Sequence, residues 1–104
     1  MTFFALEQLG KLYDGYQKPF SVAGHQLLLL QLDGERYLIE NRCPHMDVPL
    51  DRGQLLGSSG IRCRAHGIEF DLVSGKSKGP LADTIGCLKK YPIVYQGTCI
   101  GTEL

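Results

Sequence analysis

Gln26-Leu27-Leu28-Leu29-Leu30-Gln31-Leu32-Asp33-Gly34-Glu35-Arg36-Tyr37-Leu38-Ile39-Glu40 is the stretch that decides the fold. Its apolar run, residues 26–32, is too short for a typical helix and far short of the roughly 20 residues a membrane helix needs. Asp33-Gly34 is a two-residue hairpin signal, because a type I′ turn demands positive φ at both central positions. Beyond it, Arg36-Tyr37-Leu38-Ile39-Glu40 is β-prone, so the stretch reads as strand, turn, strand. The hairpin leads directly to Cys43.

Outward from that hairpin the chain continues as short strands between turns. Upstream, Phe3, Phe4, Leu6 and Leu9 fit either a first strand or an amphipathic turn of helix. Gly10 to Gly15 reads as a connection, and Phe20-Ser21-Val22 leads through Gly24 into the hairpin. Downstream, Pro44, Pro49 and Gly53 exclude a long helix, so 46–60 is expected to be mostly loop. Ile61-Arg62 reads as a strand that delivers Cys63. Ile68, Phe70 and Leu72 alternate with Glu69 and Asp71, the pattern of a half-buried strand ending at Ser74-Gly75. Gly79-Pro80 marks a loop, and Leu88 to Tyr95, Gln96-Gly97 and Thr98 to Ile100 form a final hairpin. No repeat or linker divides the 104 residues, so one small antiparallel all-β domain is predicted.

Charge excludes several function classes. Eleven Lys and Arg balance eleven Asp and Glu, which argues for neither nucleic acid nor an anionic membrane surface. Met1-Thr2-Phe3-Phe4-Ala5-Leu6-Glu7 has no basic region before its apolar residues, so no secretory signal and a cytoplasmic location are expected. In that compartment cysteines serve as thiols or metal ligands rather than as a disulfide framework. Cys87 and Cys99, without a nearby His or Cys, are expected to be small buried hydrophobes, and His25 a solvated residue at a turn or strand edge.

The chemistry is concentrated in Cys43-Pro44-His45 and Cys63-Arg64-Ala65-His66-Gly67. Each segment pairs one soft thiolate with one imidazole at a spacing a single tight loop can present. A structural zinc site uses the same ligand types, but its usual spacing pairs cysteine with cysteine and histidine with histidine. A [2Fe–2S] cluster accepts the mixed arrangement, because neutral imidazole can replace thiolate on one iron.

At these residues the sequence resembles the Rieske family, whose pattern is Cys-X-His followed at a distance by Cys-X-X-His. The resemblance extends to Pro49-Leu50, Gly53, Gly67, Phe70-Asp71, Ser74-Gly75 and Gly79-Pro80. It implies that Cys43 and Cys63 hold one iron and His45 and His66 the other. It also implies a β-sandwich or barrel-like domain spanning 1–104. In that domain 1–41 and 81–104 form the base, and about 42–80 the loop-rich cluster-binding subdomain. Respiratory members of the family have a disulfide between the two ligand loops. Val48 and Ala65 stand at the matching positions, so no such bridge is expected. Those members also place a serine and a tyrosine hydroxyl near the cluster, where this chain has Ile68 and Phe70, which implies a low potential.

The pattern is most similar to Rieske-type ferredoxins. It implies a one-electron carrier that takes electrons from a flavin-dependent reductase and passes them to a Rieske oxygenase as one component of a dioxygenase system. A complete oxygenase would need a further mononuclear iron site of two histidines and a carboxylate, and His25 is the only histidine left over. The alternatives are the small Rieske-like subunit of an assimilatory nitrite reductase and a zinc-stabilised interaction module. Arg42, Asp47, Asp51, Arg52, Arg62 and Arg64 surround the ligands with mixed charge, which reads first as ordinary loop solvation.

Overall fold

The computed structural model describes residues 2–44, 48–64, 67–77 and 86–104. Its strands are β1 (Phe3–Gln8), β2 (Tyr16–Val22), β3 (His25–Leu32), β4 (Glu35–Glu40), β5 (Gln54–Leu56), β6 (Gly60–Arg62), β7 (Glu69–Asp71), β8 (Val94–Gln96) and β9 (Cys99–Glu103). A 3-10 turn, Leu9–Lys11, follows β1. The strands make three antiparallel three-stranded sheets, ordered β1-β9-β8, β2-β3-β4 and β5-β6-β7. The fold is therefore all-β, as the sequence predicts. Among the described residues no helix is long and apolar enough to cross a membrane.

The four leucines of β3 explain how the sheets stack. Leu27, Leu28, Leu29 and Leu30 are all 0 % exposed, although an alternating strand covered on one side only would bury every second one. They divide between two cores. Leu28 and Leu30, with Tyr37 and Ile39 of β4, face a cluster that contains Leu50, Ile61, Phe70, Leu72, Leu88 and the thiols Cys43 and Cys63. Leu27, Leu29 and Leu38 face the opposite way, onto Tyr16 and Ile100, with Leu6, Leu9, Phe20 and Ile93 packed alongside. The middle sheet is thus covered on both faces. Burying each leucine contributes about 2 kcal/mol.

The Asp33-Gly34 turn forms as read, with φ of 52° and 78° and Leu32 paired to Glu35 across it. Ala23-Gly24 repeats the device between β2 and β3, with φ of 49° and 83°. β2 begins at Tyr16, earlier than the Phe20 start the pattern suggests. Pro19 is tolerated within it because β2 lies at the edge of its sheet. The N-terminal segment resolves as strand rather than helix through pairing with β9, where Gly101 lets Phe4 approach; a Cβ on Gly101 would lie 2.1 Å from the Phe4 carbonyl oxygen.

Three expectations need correction. The segment expected to be loop up to residue 60 contains β5, recruited by pairing Leu55 with Ile61. The strand at Phe70 ends at Asp71, because a tight turn closes there: the Asp71 carboxylate accepts from the Val73 amide at 2.9 Å, and the Gly75 amide donates to the Asp71 carbonyl at 2.7 Å. In the final hairpin only Val94–Gln96 is strand before the turn at Gly97 and Thr98. Residues 88–91 instead form a strap along β4. The Glu40 amide donates to the Lys89 carbonyl at 2.8 Å, and the Tyr91 amide to the Leu38 carbonyl at 2.9 Å. The same strap reaches the turn after β7, where the Leu88 amide donates to the Gly75 carbonyl at 2.7 Å.

Candidate metal centre

Cys43 follows the end of β4 by three residues and Cys63 immediately follows β6. Both are 0 % exposed and share one apolar cluster. No disulfide joins any of the four cysteines. The loops they open are closed alike. The Cys43 amide donates to the Val48 carbonyl at 2.7 Å, and the Cys63 amide to the Ile68 carbonyl at 2.8 Å. In the second loop the Gly67 amide also donates to the Cys63 carbonyl at 2.8 Å, with Gly67 at φ 67°, a region open to glycine. His45 and His66, the predicted imidazole ligands, lie outside the described residues, as do Asp47, Gly79 and Pro80.

The first loop is held from outside by two residues that sequence reading missed. The Asn41 carboxamide oxygen accepts from the Leu50 amide at 2.8 Å. Gln17, on β2, donates from Nε2 to the carbonyls of Leu50 at 3.3 Å and Gly53 at 3.2 Å, and to that of Asp51. The Gln17 bonds span more than thirty residues of sequence, so no local pattern marks them. Gly53 sits where the loop turns into β5, and a Cβ there would lie 2.7 Å from the Arg62 carbonyl oxygen and 3.1 Å from that of Leu50. Only glycine lets the two ligand loops approach so closely.

Charge around the site is more ordered than simple solvation. Arg62 pairs with Glu69 at 2.6 Å across β6 and β7, and Arg42 with Glu40 at 3.2 Å. Val48, Pro49, Asp51 and Arg52 of the first loop line one surface cleft together with Arg64 of the second. His25 stands apart from this arrangement as the first residue of β3. Its Nδ1 is 3.3 Å from the Tyr91 hydroxyl, with the rings edge to face, so it is tied to the strap rather than merely solvated. Cys87 is exposed and Cys99 half-buried, contrary to the expectation of two buried hydrophobes. Cys99 lies at the end of β9 beside Gln8, where pairing leaves its side chain near the rim.

The donor chemistry fits an iron–sulfur cluster. Two soft thiols, buried in one apolar cluster, each open a loop whose sequence carries an imidazole two or three residues further on.

Comparison with known proteins agrees. Residues 2–92 match the Rieske [2Fe-2S] domain family. The ferredoxin component of the naphthalene 1,2-dioxygenase system of Pseudomonas putida is 31% identical over 97 residues, 92% of this chain and 89% of that protein. The ferredoxin of carbazole 1,9a-dioxygenase from Nocardioides aromaticivorans superposes with a TM-score of 0.84 at 26% identity, covering 98% of this chain and 97% of that one. A chain of the reduced complex between oxygenase and ferredoxin in carbazole 1,9a-dioxygenase has the same fold, with a TM-score of 0.81 at 22% identity over 96% of this chain and 27% of that one.

Proposed function

The chain belongs to the Rieske [2Fe-2S] domain family, and on that premise we propose that it is a one-electron carrier, the ferredoxin component of an oxygenase system. The observation that carries this reading is the pair of equivalent loops, each opened by a buried thiol and closed by the same amide-to-carbonyl bond. Support also comes from the extent of the likeness, which runs along nearly the whole of a dioxygenase ferredoxin. Cys43 and Cys63 would hold one iron, and His45 and His66 the other. One domain, 1–104, carries the site, with 42–80 as the cluster-binding part on a base formed by 1–41 and 81–104.

When bound, the cluster supplies a one-electron couple. The protein's part is to hold the thiolates in a dry cluster and to fix the loops with backbone bonds and with Asn41 and Gln17, so that little rearranges between redox states. Arg52 and Arg64 with Asp51 present a charged rim beside the two loops for docking. The partners in this reading are a flavin-dependent reductase on one side and a Rieske oxygenase on the other. The carrier works in the cytoplasm and is a component of a catalytic system rather than its catalyst.

The test is electron paramagnetic resonance after dithionite reduction. A reduced signal with the low average g-value of mixed Cys/His ligation is expected, and it should vanish in His45→Ala and His66→Ala but persist in His25→Ala. A colourless protein with stoichiometric zinc would overturn the reading.

A further inference from the structure

Among the described residues, two buried side-chain polar atoms have no hydrogen-bond partner, Arg62 Nε and Ser77 Oγ. Arg62 has another outlet, since its side chain is 43% exposed and a terminal nitrogen pairs with Glu69. Ser77 is only 7% exposed, and its single hydroxyl is the unpartnered atom. Burying a hydroxyl with no partner loses its hydration without return, whereas alanine at the same place would lose nothing.

The direction of that hydroxyl follows from strand pairing. Ser77 bridges Phe70 in antiparallel fashion, and Phe70 pairs on its other side with Ile61. Cross-strand partners place their side chains on the same face. Phe70 and Ile61 are both 0 % exposed and share their cluster with Cys43 and Cys63. The Ser77 side chain is therefore directed to the face that holds both thiols. The other side chains of that cluster are hydrocarbon apart from Tyr37, whose hydroxyl is not bonded to Ser77, so the remaining side-chain acceptors there are sulfurs.

Resting on the carrier reading above, we propose that Ser77 is a hydrogen-bond donor to a sulfur of the bound cluster or of its cysteine ligands, and that it raises the reduction potential. Reduction places additional negative charge on those sulfurs, so a donor is worth more in the reduced state than in the oxidised one. Phe70 carries no hydroxyl, and its cross-strand neighbour supplies one instead.

The experiment is a redox titration of the cluster-loaded protein, followed by circular dichroism and electron paramagnetic resonance, on the unmodified chain, Ser77→Ala and Ser77→Thr. Ser77→Ala is expected to keep the Rieske signal and to lower the reduced-to-oxidised ratio at a fixed potential about tenfold. That corresponds to a downward shift of about 59 mV for one electron. Ser77→Thr, which keeps the hydroxyl, should restore most of it. Should Ser77→Ala fail to hold the cluster, Ser77→Cys keeps the size with a much weaker donor and should shift in the same direction. An unchanged potential with the signal intact overturns the donor and leaves the carrier standing, as would a hydroxyl bound only to a trapped water. No Rieske signal in the unmodified chain overturns the carrier and the donor together.

Discussion

Asn41 and Leu50 are joined by a 2.8 Å bond from the Leu50 amide to the Asn41 side-chain oxygen, and through it the end of the middle sheet grips the loop that begins at Cys43. Leu50 itself is 0 % exposed and packs in the cluster with the thiols. Asn41→Ala strands the Leu50 amide and should cost about 1–3 kcal/mol. Loss of the visible cluster spectrum on incubation with chelator should be several-fold faster than in the unmodified protein. Equal rates would show that the grip is dispensable.

The two faces of β3 give a sharper contrast. Leu27→Ala and Leu28→Ala each remove a fully buried side chain, and each should destabilise by about 2–5 kcal/mol. Only Leu28 lines the cluster that contains Cys43 and Cys63. Leu28→Ala should therefore also hasten cluster loss at temperatures where the fold persists, while Leu27→Ala should not. Denaturant unfolding and absorbance decay, measured on both variants, check the pair.

Glu7 and Tyr16 predict a pH window for stability. The Glu7 carboxylate accepts from the Gln8 amide at 3.0 Å and the Tyr16 hydroxyl at 2.9 Å, and these bonds hold it below its ordinary 4.5. Burial, and then the bond to Glu7, hold the Tyr16 hydroxyl above its ordinary 10.0. The unfolded chain takes up the Glu7 proton first as pH falls, and releases the Tyr16 proton first as pH rises. The pair's contribution should be complete between 4.5 and 10.0 and diminish on either side. In urea titrations, the deficit of Tyr16→Phe relative to the unmodified chain should be flat within that window and narrow beyond it.

Phe70 is fully buried and Ile68 half-buried, and neither offers a hydroxyl. With Ser77 as the one hydroxyl donor, against the two of the respiratory members, the midpoint potential should still lie toward the low end for Rieske centres, about −150 mV. Phe70→Tyr should raise it by roughly 60 mV, a tenfold change in the one-electron equilibrium. A titration giving a value well above zero for the unmodified protein would contradict this.

Where local chemistry decides structure, the chain could be read directly. Asp33-Gly34 needs only its own φ preferences to turn, and the strands on either side followed from it. β5 escaped notice because three residues have little periodicity of their own and become strand only by pairing with β6. β2 starts ahead of Phe20 and runs through Pro19, which a strand accepts only where one of its sides lacks a partner. The cysteines divide in the same way. Cys43 and Cys63 were marked by a spacing, whereas the exposure of Cys87 and the half-burial of Cys99 depend on how distant segments meet. Gln17 reaches its loop from more than thirty residues away in sequence, and nothing near it announces that.

The middle sheet has a consequence for traffic. Leu28 and Leu30 back the cluster that holds the thiols, and beyond them lie a second core and the β1-β9-β8 sheet. Electron tunnelling weakens steeply with every ångström of intervening protein, so the rear of the molecule is an insulating wall. In the carrier reading, an electron would come and go on the loop side of the molecule rather than through the middle sheet. Donor and acceptor would then share that side, and the carrier would work by letting go of one partner before it meets the next.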